Sequence, residues 1–302
     1  MERIQRFQGC LLGLAAGDAV GTAVEFRPRG SFPPVTGMSG GGPFGLKAGE
    51  WTDDTSMALC LAESLVDQGG FDAADQMNRY LRWFREGYWS SNGRCFDIGN
   101  TVSGALNRFA ETGDPFSGST DPMTAGNGSI MRLAPVVLYY FPDHTQVLHY
   151  AAESSRTTHG ALECLDACRL LADVLYRALS GADKNAVLTG TAPKDLTAPA
   201  LRELAAGEYR KLPAKKIQGT GYVVKSLEAA LWCFDTTGTF EQAILAAANL
   251  GDDADTTAAI CGQVAGAYYG VRAIPAGWLA KLARREEITH LAERLMTHEK
   301  AL

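Results

Sequence analysis

Apolar residues recur at three- and four-residue spacings along nearly the whole chain, and alternating runs of the strand type are almost absent. The first such stretch, 5–23, carries small residues (Gly9, Gly13, Ala16, Gly17) on one face. Each glycine inside a helix costs about 1 kcal/mol, so several at this spacing predict close backbone contact with another helix. After Glu25 and Phe26, residues 27–50 are rich in glycine and proline. So long an unpatterned connection, leading straight into Thr52-Asp53-Asp54, reads as a mobile lid over a site. The pattern then predicts helices over 55–67, ended by Gly69-Gly70, from an Asp72 cap to about residue 88, and after 95–101 to about residue 112. An apolar helix containing Pro135 follows, then helices at 145–156, 160–180, 197–211, 219–235, 239–249, 256–271 and 275–299. Segment 182–196 has the least pattern and reads as a surface connection. No linker and no fixed-period repeat interrupts the chain, so the expectation is one compact all-α domain over 1–302.

Composition narrows this only a little. At 46% hydrophobic and 21% charged, 302 residues make an ordinary globular protein with a sizeable core. A net charge of −6 without a basic stripe argues against a nucleic-acid partner. The seven cysteines are odd in number, mostly lie in apolar helical segments and form no CxxC pair. They read as buried thiols in a reducing compartment. With no signal-like segment and no apolar run read as long enough to span a bilayer, the expectation is a cytoplasmic protein, working as a monomer.

The unusual chemistry sits in two places. Gly251-Asp252-Asp253-Ala254-Asp255-Thr256-Thr257 and Thr52-Asp53-Asp54-Thr55 each crowd acids and hydroxyls before an apolar helical run. Carboxylates repel one another, so such clusters cost stability unless cations or hydrogen-bond donors offset them. Helix capping accounts for one or two of these acids. All of Asp53, Asp54, Asp253 and Asp255, with Thr52 and Thr256 beside them, point to hard divalent cations, and without His or Cys in either cluster to Mg²⁺, Mn²⁺ or Ca²⁺ rather than zinc. A carboxylate-bridged ion pair would neutralise this many acids. In the later cluster a ligand–spacer–ligand register followed by threonine selects Asp253, Asp255 and Thr256 over Asp252.

Other candidates carry two readings each. Asp18 reads as a solvated or capping acid. Glu25, at the start of the lid, reads as a gate or ligand-contact residue. Asp97 is either a helix cap or a general base. Gly126-Asn127-Gly128-Ser129 resembles an anion cradle of backbone amides but is also an ordinary turn. His159 is structural, a base or a phosphate contact. The Gly219-Thr220-Gly221-Tyr222 stretch presents amides and an aromatic face to a nucleobase, or is a loop with a core tyrosine.

Taken together and in order, GCLLGLAAGDAVGTAVEF, GEWTDDTSMAL, FDIGNTV, GNGSIMRLAPV, Thr158-His159-Gly160 and GDDADTTAAICGQVAGAYYG resemble the ADP-ribosylglycohydrolases over about 5–272. FDIGNTV is most similar to the bacterial branch that reactivates ADP-ribosylated dinitrogenase reductase. The resemblance implies an all-α orthogonal bundle with two Mg²⁺ or Mn²⁺ in a central cleft. It also implies hydrolysis of the bond between C1″ of ADP-ribose and a modified protein side chain, usually arginine. By position it makes Thr52, Asp53, Asp54, Asp253, Asp255 and Thr256 metal ligands, Glu25 the lid glutamate and Asp97 a proton-transfer aspartate. Asn127, Gly128, Ser129, His159, Gly219, Gly221 and Tyr222 would hold the diphosphate and adenosine. The family often has Gly-Gly-Asp where this chain has Gly251-Asp252-Asp253. Two alternatives accompany the reading: hydrolysis of O-linked ADP-ribose (ADP-ribosyl-serine or O-acetyl-ADP-ribose), and a non-catalytic ADP-ribose binder.

Overall fold

A computed structural model describes residues 1–190 and 193–298. Residues 191–192 of the unpatterned segment, and 299 at the end of the last expected helix, lie outside the described residues. The helices run α1 Arg3–Gly21, α2 Asp53–Gln68, α3 Ala73–Glu86, α4 Asn100–Thr112, α5 Ala134–Tyr140, α6 His144–Arg156 and α7 Leu162–Leu179. They continue with α8 Lys184–Thr189, α9 Pro199–Ala205, α10 Val223–Thr236, α11 Phe240–Ala248, α12 Ala254–Tyr269, α13 Ala276–Leu279 and α14 Arg285–Thr297. Among the described residues there is no strand, only isolated bridges such as Gly126 with Tyr222.

The all-α expectation therefore holds, with differences in detail. Segment 182–196 contains the short α8, capped by Asp183. The helix expected over 197–211 breaks at Gly207, whose φ of +80° no helix can carry. The one expected over 275–299 is two helices, parted at Arg284 (φ +51°). Gly69 and Asp72 do what their chemistry predicts: Gly69 ends α2 in the left-handed region, and Asp72 accepts the Asp75 N–H at the start of α3.

The spine is α1 against α12. A Cβ placed on Gly9, Gly13, Gly17 or Gly21 would stand 2.3, 2.3, 2.1 or 2.3 Å from the carbonyl oxygen of Gly266, Gly262, Ala258 or Ala254 respectively. The two helices thus run antiparallel with backbones touching from Gly9 to Gly21, which is what the glycine row predicts. Apolar on nearly every face, both are buried along most of their length. The stretch Arg3–Val24 is in fact long and apolar enough to cross a membrane, contrary to the reading from sequence, but here it is a core helix. This spine brings the C-terminal end of α1 beside the N-terminus of α12. Gln263 of α12 then fixes the next loop, donating to the Ile130 and Met131 carbonyls (3.0 and 2.7 Å) and accepting the Ala134 N–H (2.9 Å).

Residues 27–50 are not a loose flap. Asn249 donates to the Val35 carbonyl and accepts its N–H (2.9 and 2.8 Å), Arg29 binds the Ala214 and Ile217 carbonyls, and Lys281 reaches Met38 O. Gly49 lies so close to the Lys281 carbonyl that a Cβ there would be 2.0 Å away.

Candidate active site

Two helix N-termini and one helix C-terminus meet at the end of the spine. Thr52 precedes α2 in extended conformation, and Asp53 and Asp54 form that helix's first turn. Asp255 and Thr256 stand in the first turn of α12, directly after Asp253. Helix N-termini carry partial positive charge and free N–H groups, so both clusters sit where acids are best tolerated. The clusters, far apart in sequence, do converge: Thr52 Oγ1 lies 3.2 Å from Asp54 Oδ2 and 3.4 Å from Asp255 Oδ2. Thr256 Oγ1 lies 3.4 Å from Asp54 Oδ2.

Asp18 belongs to the same group, which the sequence reading did not anticipate. Fully buried, it accepts hydrogen bonds from Thr52 N (2.9 Å), Thr52 Oγ1 (3.0 Å), Thr55 N (3.1 Å) and Thr55 Oγ1 (2.6 Å). It is a cap, but of α2 from α1, and it is not solvated. The signal was present, since an acid in a helix that is apolar all round has nowhere to go but the core.

One oxygen each from Asp18, Asp54 and Asp255 lie within 4.8 Å of one another, as do one each from Glu25, Asp97 and Asp255. Burial, then mutual repulsion, pushes the acids up. Asp54 and Asp255 lie well above the usual carboxylate range, and so does Asp53. Burial raises Asp253 too, against the Asn127 hydrogen bond, which lowers it. Glu25 rises to about 9 through burial and then Asp97; Asp97 rises to about 7 through burial and then Asp18. Burial takes Asp18 to about 6 despite its hydrogen bonds from Thr55 and Thr52. Among the described residues no lysine or arginine lines the cavity. Asp54 Oδ1, Asp255 Oδ1 and Glu25 Oε2 are buried without a hydrogen-bond partner among the described residues. Thr52 Oγ1 has one proton for three carboxyl neighbours, Asp18, Asp54 and Asp255, so it cannot donate to all of them. An all-oxygen set with unpartnered buried oxygens is what a hard divalent cation satisfies, so the residues present fit one.

An open cavity of about 370 Å³ is lined by Glu25, Phe26, Asp53, Asp97–Val102, Gly126–Gly128, Met131, His159, Gly221, Asp253, Asp255 and Thr256, whereas Asp18, Thr52 and Asp54 are buried and do not line it. Asp252 is exposed, with its backbone bonded to Phe26 and Arg27, so the register using Asp253 and Asp255 is the one that faces inward. Asp97 precedes α4 by three residues with φ +61°, and the helix's N-cap is Gly99; Asp97 caps nothing and turns to the cavity. Asn127 donates to Asp253 Oδ2 (2.7 Å) and to Ser226 (3.1 Å), so its side chain orients a carboxylate.

Behind the glycines, buried Arg132 donates to Gly128 O (2.8 Å) and Thr158 Oγ1 (2.7 Å). Thr158, 2.8 Å from His159 Nδ1, then has its proton free for that nitrogen. This arrangement leaves His159 Nε2 carrying the ring proton beside Gly126 and Gly128. Burial, then Arg132, lowers His159 to about 3, so the ring is a neutral donor. Ser129 does not reach the cavity; it is buried 3.4 Å from Cys168 Sγ. Gly219 packs on Thr257, and its carbonyl accepts the Asp253 N–H (3.0 Å). Tyr222 is 39% exposed beyond the cavity edge, its hydroxyl donating to Glu163 (2.8 Å). None of residues 27–50 lines the cavity, which Phe26 and 97–102 border instead.

Known proteins resemble this chain along nearly its whole length. The family model described as ADP-ribosylglycohydrolase matches residues 1–301. The chain is 48% identical over 301 residues to the ADP-ribosylarginine hydrolase Tri1 of Pseudomonas putida (strain GB-1), covering 97% of this chain and 78% of that protein. With the ADP-ribosyl-[dinitrogen reductase] glycohydrolase of Rhodospirillum rubrum it shares 32% over 289 residues, 93% of this chain and 92% of the other. The likeness to the dinitrogenase branch is thus real, but weaker than that to the arginine hydrolase. A solved structure titled ADP-ribosylglycohydrolase-related protein complex superposes with a TM-score of 0.88 at 48% identity, over 98% of this chain and 99% of the other.

Proposed function

This chain belongs to the ADP-ribosylglycohydrolase family, and on that premise we propose that it removes ADP-ribose from ADP-ribosylated arginine side chains of proteins. The observation that carries the proposal is the floor of buried, unpartnered carboxylate oxygens at an open cavity, in a chain nearly half identical to an ADP-ribosylarginine hydrolase. We take the whole chain as one hydrolase domain, working as a monomer in the cytoplasm, with no nucleic-acid partner.

Thr52, Asp53, Asp54, Asp253, Asp255 and Thr256 are the proposed ligands of two Mg²⁺ or Mn²⁺. Such ions, when bound, neutralise the acids, acidify a water and hold ribose hydroxyls. Asp18 holds Thr52 from below, and Asn127 holds Asp253. Asp97, which lines the cavity beside Glu25, takes the proton of the attacking water as its oxygen bonds to C1″. It returns that proton to the guanidine nitrogen as the C1″–N bond breaks, through a transition state of oxocarbenium character. Glu25 closes the cavity beside Asp97. The glycines of 126–128 and the His159 Nε2–H meet the diphosphate, and Gly221 and the Tyr222 ring flank the adenosine.

The test is release of free ADP-ribose, with Mg²⁺ or Mn²⁺, from ADP-ribosyl-arginine and ADP-ribosyl-serine substrates. Release from arginine is expected. Release only from serine would move the assignment to the O-linked reaction, and tight ADP-ribose binding without turnover would make the protein a binder. Wild-type turnover by Asp53→Ala or Asp255→Ala would overturn the ligand assignment.

A further inference from the structure

The side of the cavity bordered by Phe26 has a feature that hydrolysis alone does not require. Phe26 is 65% exposed at the mouth of the cavity. Its φ is +60°, a conformation that bulky residues rarely adopt. Two backbone bonds hold it there: Phe26 N donates to Asp252 O (2.7 Å) and Asp252 N donates to Arg27 O (2.8 Å). Asp252 itself adopts φ +54°, so two strained residues combine to aim one apolar ring into water. Phe44 packs edge-on against that ring (centroids 6.5 Å apart, planes at 75°) and lies 5.2 Å from Phe96, the residue before Asp97. Among the described residues no arginine or lysine lies over any of these three rings; the neighbouring Arg27 guanidinium stands over Phe32 instead, 5.5 Å from its centroid.

We infer that Phe26, backed by Phe44 and Phe96, is the platform on which the guanidinium of the modified arginine stacks. A planar delocalised cation takes an aromatic face on one side and hydrogen-bond acceptors around its edge. Here the face is the Phe26 ring, and the acceptors are Asp97 and Glu25, which line the same cavity. A serine-linked ADP-ribose offers neither cation nor plane, so Phe26 selects the arginine linkage. The inference rests on the arginine reading above and adds the residue that discriminates for it.

The test compares ADP-ribosyl-arginine peptide with free ADP-ribose, both as binding to Asp97→Asn protein and as KM and product inhibition on otherwise wild-type enzyme. Phe26→Ala and Phe26→Leu should weaken arginine-substrate binding and raise KM by about 3- to 30-fold, with affinity for ADP-ribose unchanged. Phe26→Tyr should restore the wild-type ratio. Full rescue by leucine would make the contact simple apolar packing and overturn the platform, as would an unchanged ratio in Phe26→Ala. A Phe26-dependent binding preference without any turnover would sink the hydrolase proposal and leave this one standing.

Discussion

Gly17→Ala should destabilise the protein and loosen its grip on divalent ions, although alanine is the better helix former. The new Cβ would lie 2.1 Å from the carbonyl oxygen of Ala258 and 2.6 Å from its carbon. Carbon–oxygen contacts of this kind settle at about 3.3 Å, so α1 and α12 must part by about 1.2 Å. Both sides of the clash are backbone, and no rotamer can relieve it. The cost then falls at the top of the usual range of about 1–3 kcal/mol for overpacking, of which helix propensity returns about 1. A net loss of about 2 kcal/mol follows. The same displacement moves Asp255 away from Asp18 and Asp54, and ions that demand bonds near 2.0–2.1 Å tolerate little of it. Gly104→Ala is the control: its Cβ meets only the end of the Arg108 side chain at 3.5 Å, so it should gain about 0.5–1 kcal/mol. Urea unfolding of the metal-free proteins and Mn²⁺ titration by calorimetry read both effects. Stability and Mn²⁺ affinity in Gly17→Ala equal to or above wild type would refute the reasoning.

Other expectations concern the acids themselves. Asp255→Asn should melt higher than wild type in chelator, because it removes a buried carboxylate that nothing offsets, and should lose the stabilisation that Mn²⁺ gives the wild type; thermal melts with and without ion check both. Glu25, Asp97 and Asp18 have folded pKa values of about 9, 7 and 6, all above their unfolded values. The folded state therefore binds more protons between about pH 4 and 9, so chelated protein should lose stability as pH rises through that window. A melting temperature that climbs from pH 5 to 9 in chelator would contradict this. Asn127→Ala removes the 2.7 Å hydrogen bond to Asp253 and should weaken Mn²⁺ binding by about 10- to 100-fold, measured by calorimetry.

The floor of the cavity was legible because its chemistry is local: two acid-and-threonine runs, each opening a helix, announce themselves in any register that places them inward. The glycine row on α1 likewise predicted a backbone-to-backbone partner, though not that α12 supplies it. Asp18 reads as a solvated or capping acid; it is a cap, and its burial goes unseen when a single acid is weighed apart from the apolar helix that carries it. Ser129 and Gly219 lie in turn sequences that fit a binding loop, and only the tertiary packing on Cys168 and Thr257 turns them away. The break at Arg284 carries no glycine or proline to announce it. The 27–50 segment looked untethered because its anchors, Asn249 and Lys281, stand more than two hundred residues away.

The α1–α12 spine has a consequence for how the protein is born. Gly9 meets Gly266 and Gly21 meets Ala254, so the first helix emerges from the ribosome long before its mate. At about 5–20 residues per second that gap lasts about 10 to 50 s, during which the glycine-lined face of the first helix lacks the surface it will finally lie on. The newborn chain must shelter that helix with a chaperone or with provisional contacts. Any product cut short before residue 254 lacks Asp255 and Thr256 and leaves the glycine face of its first helix uncovered.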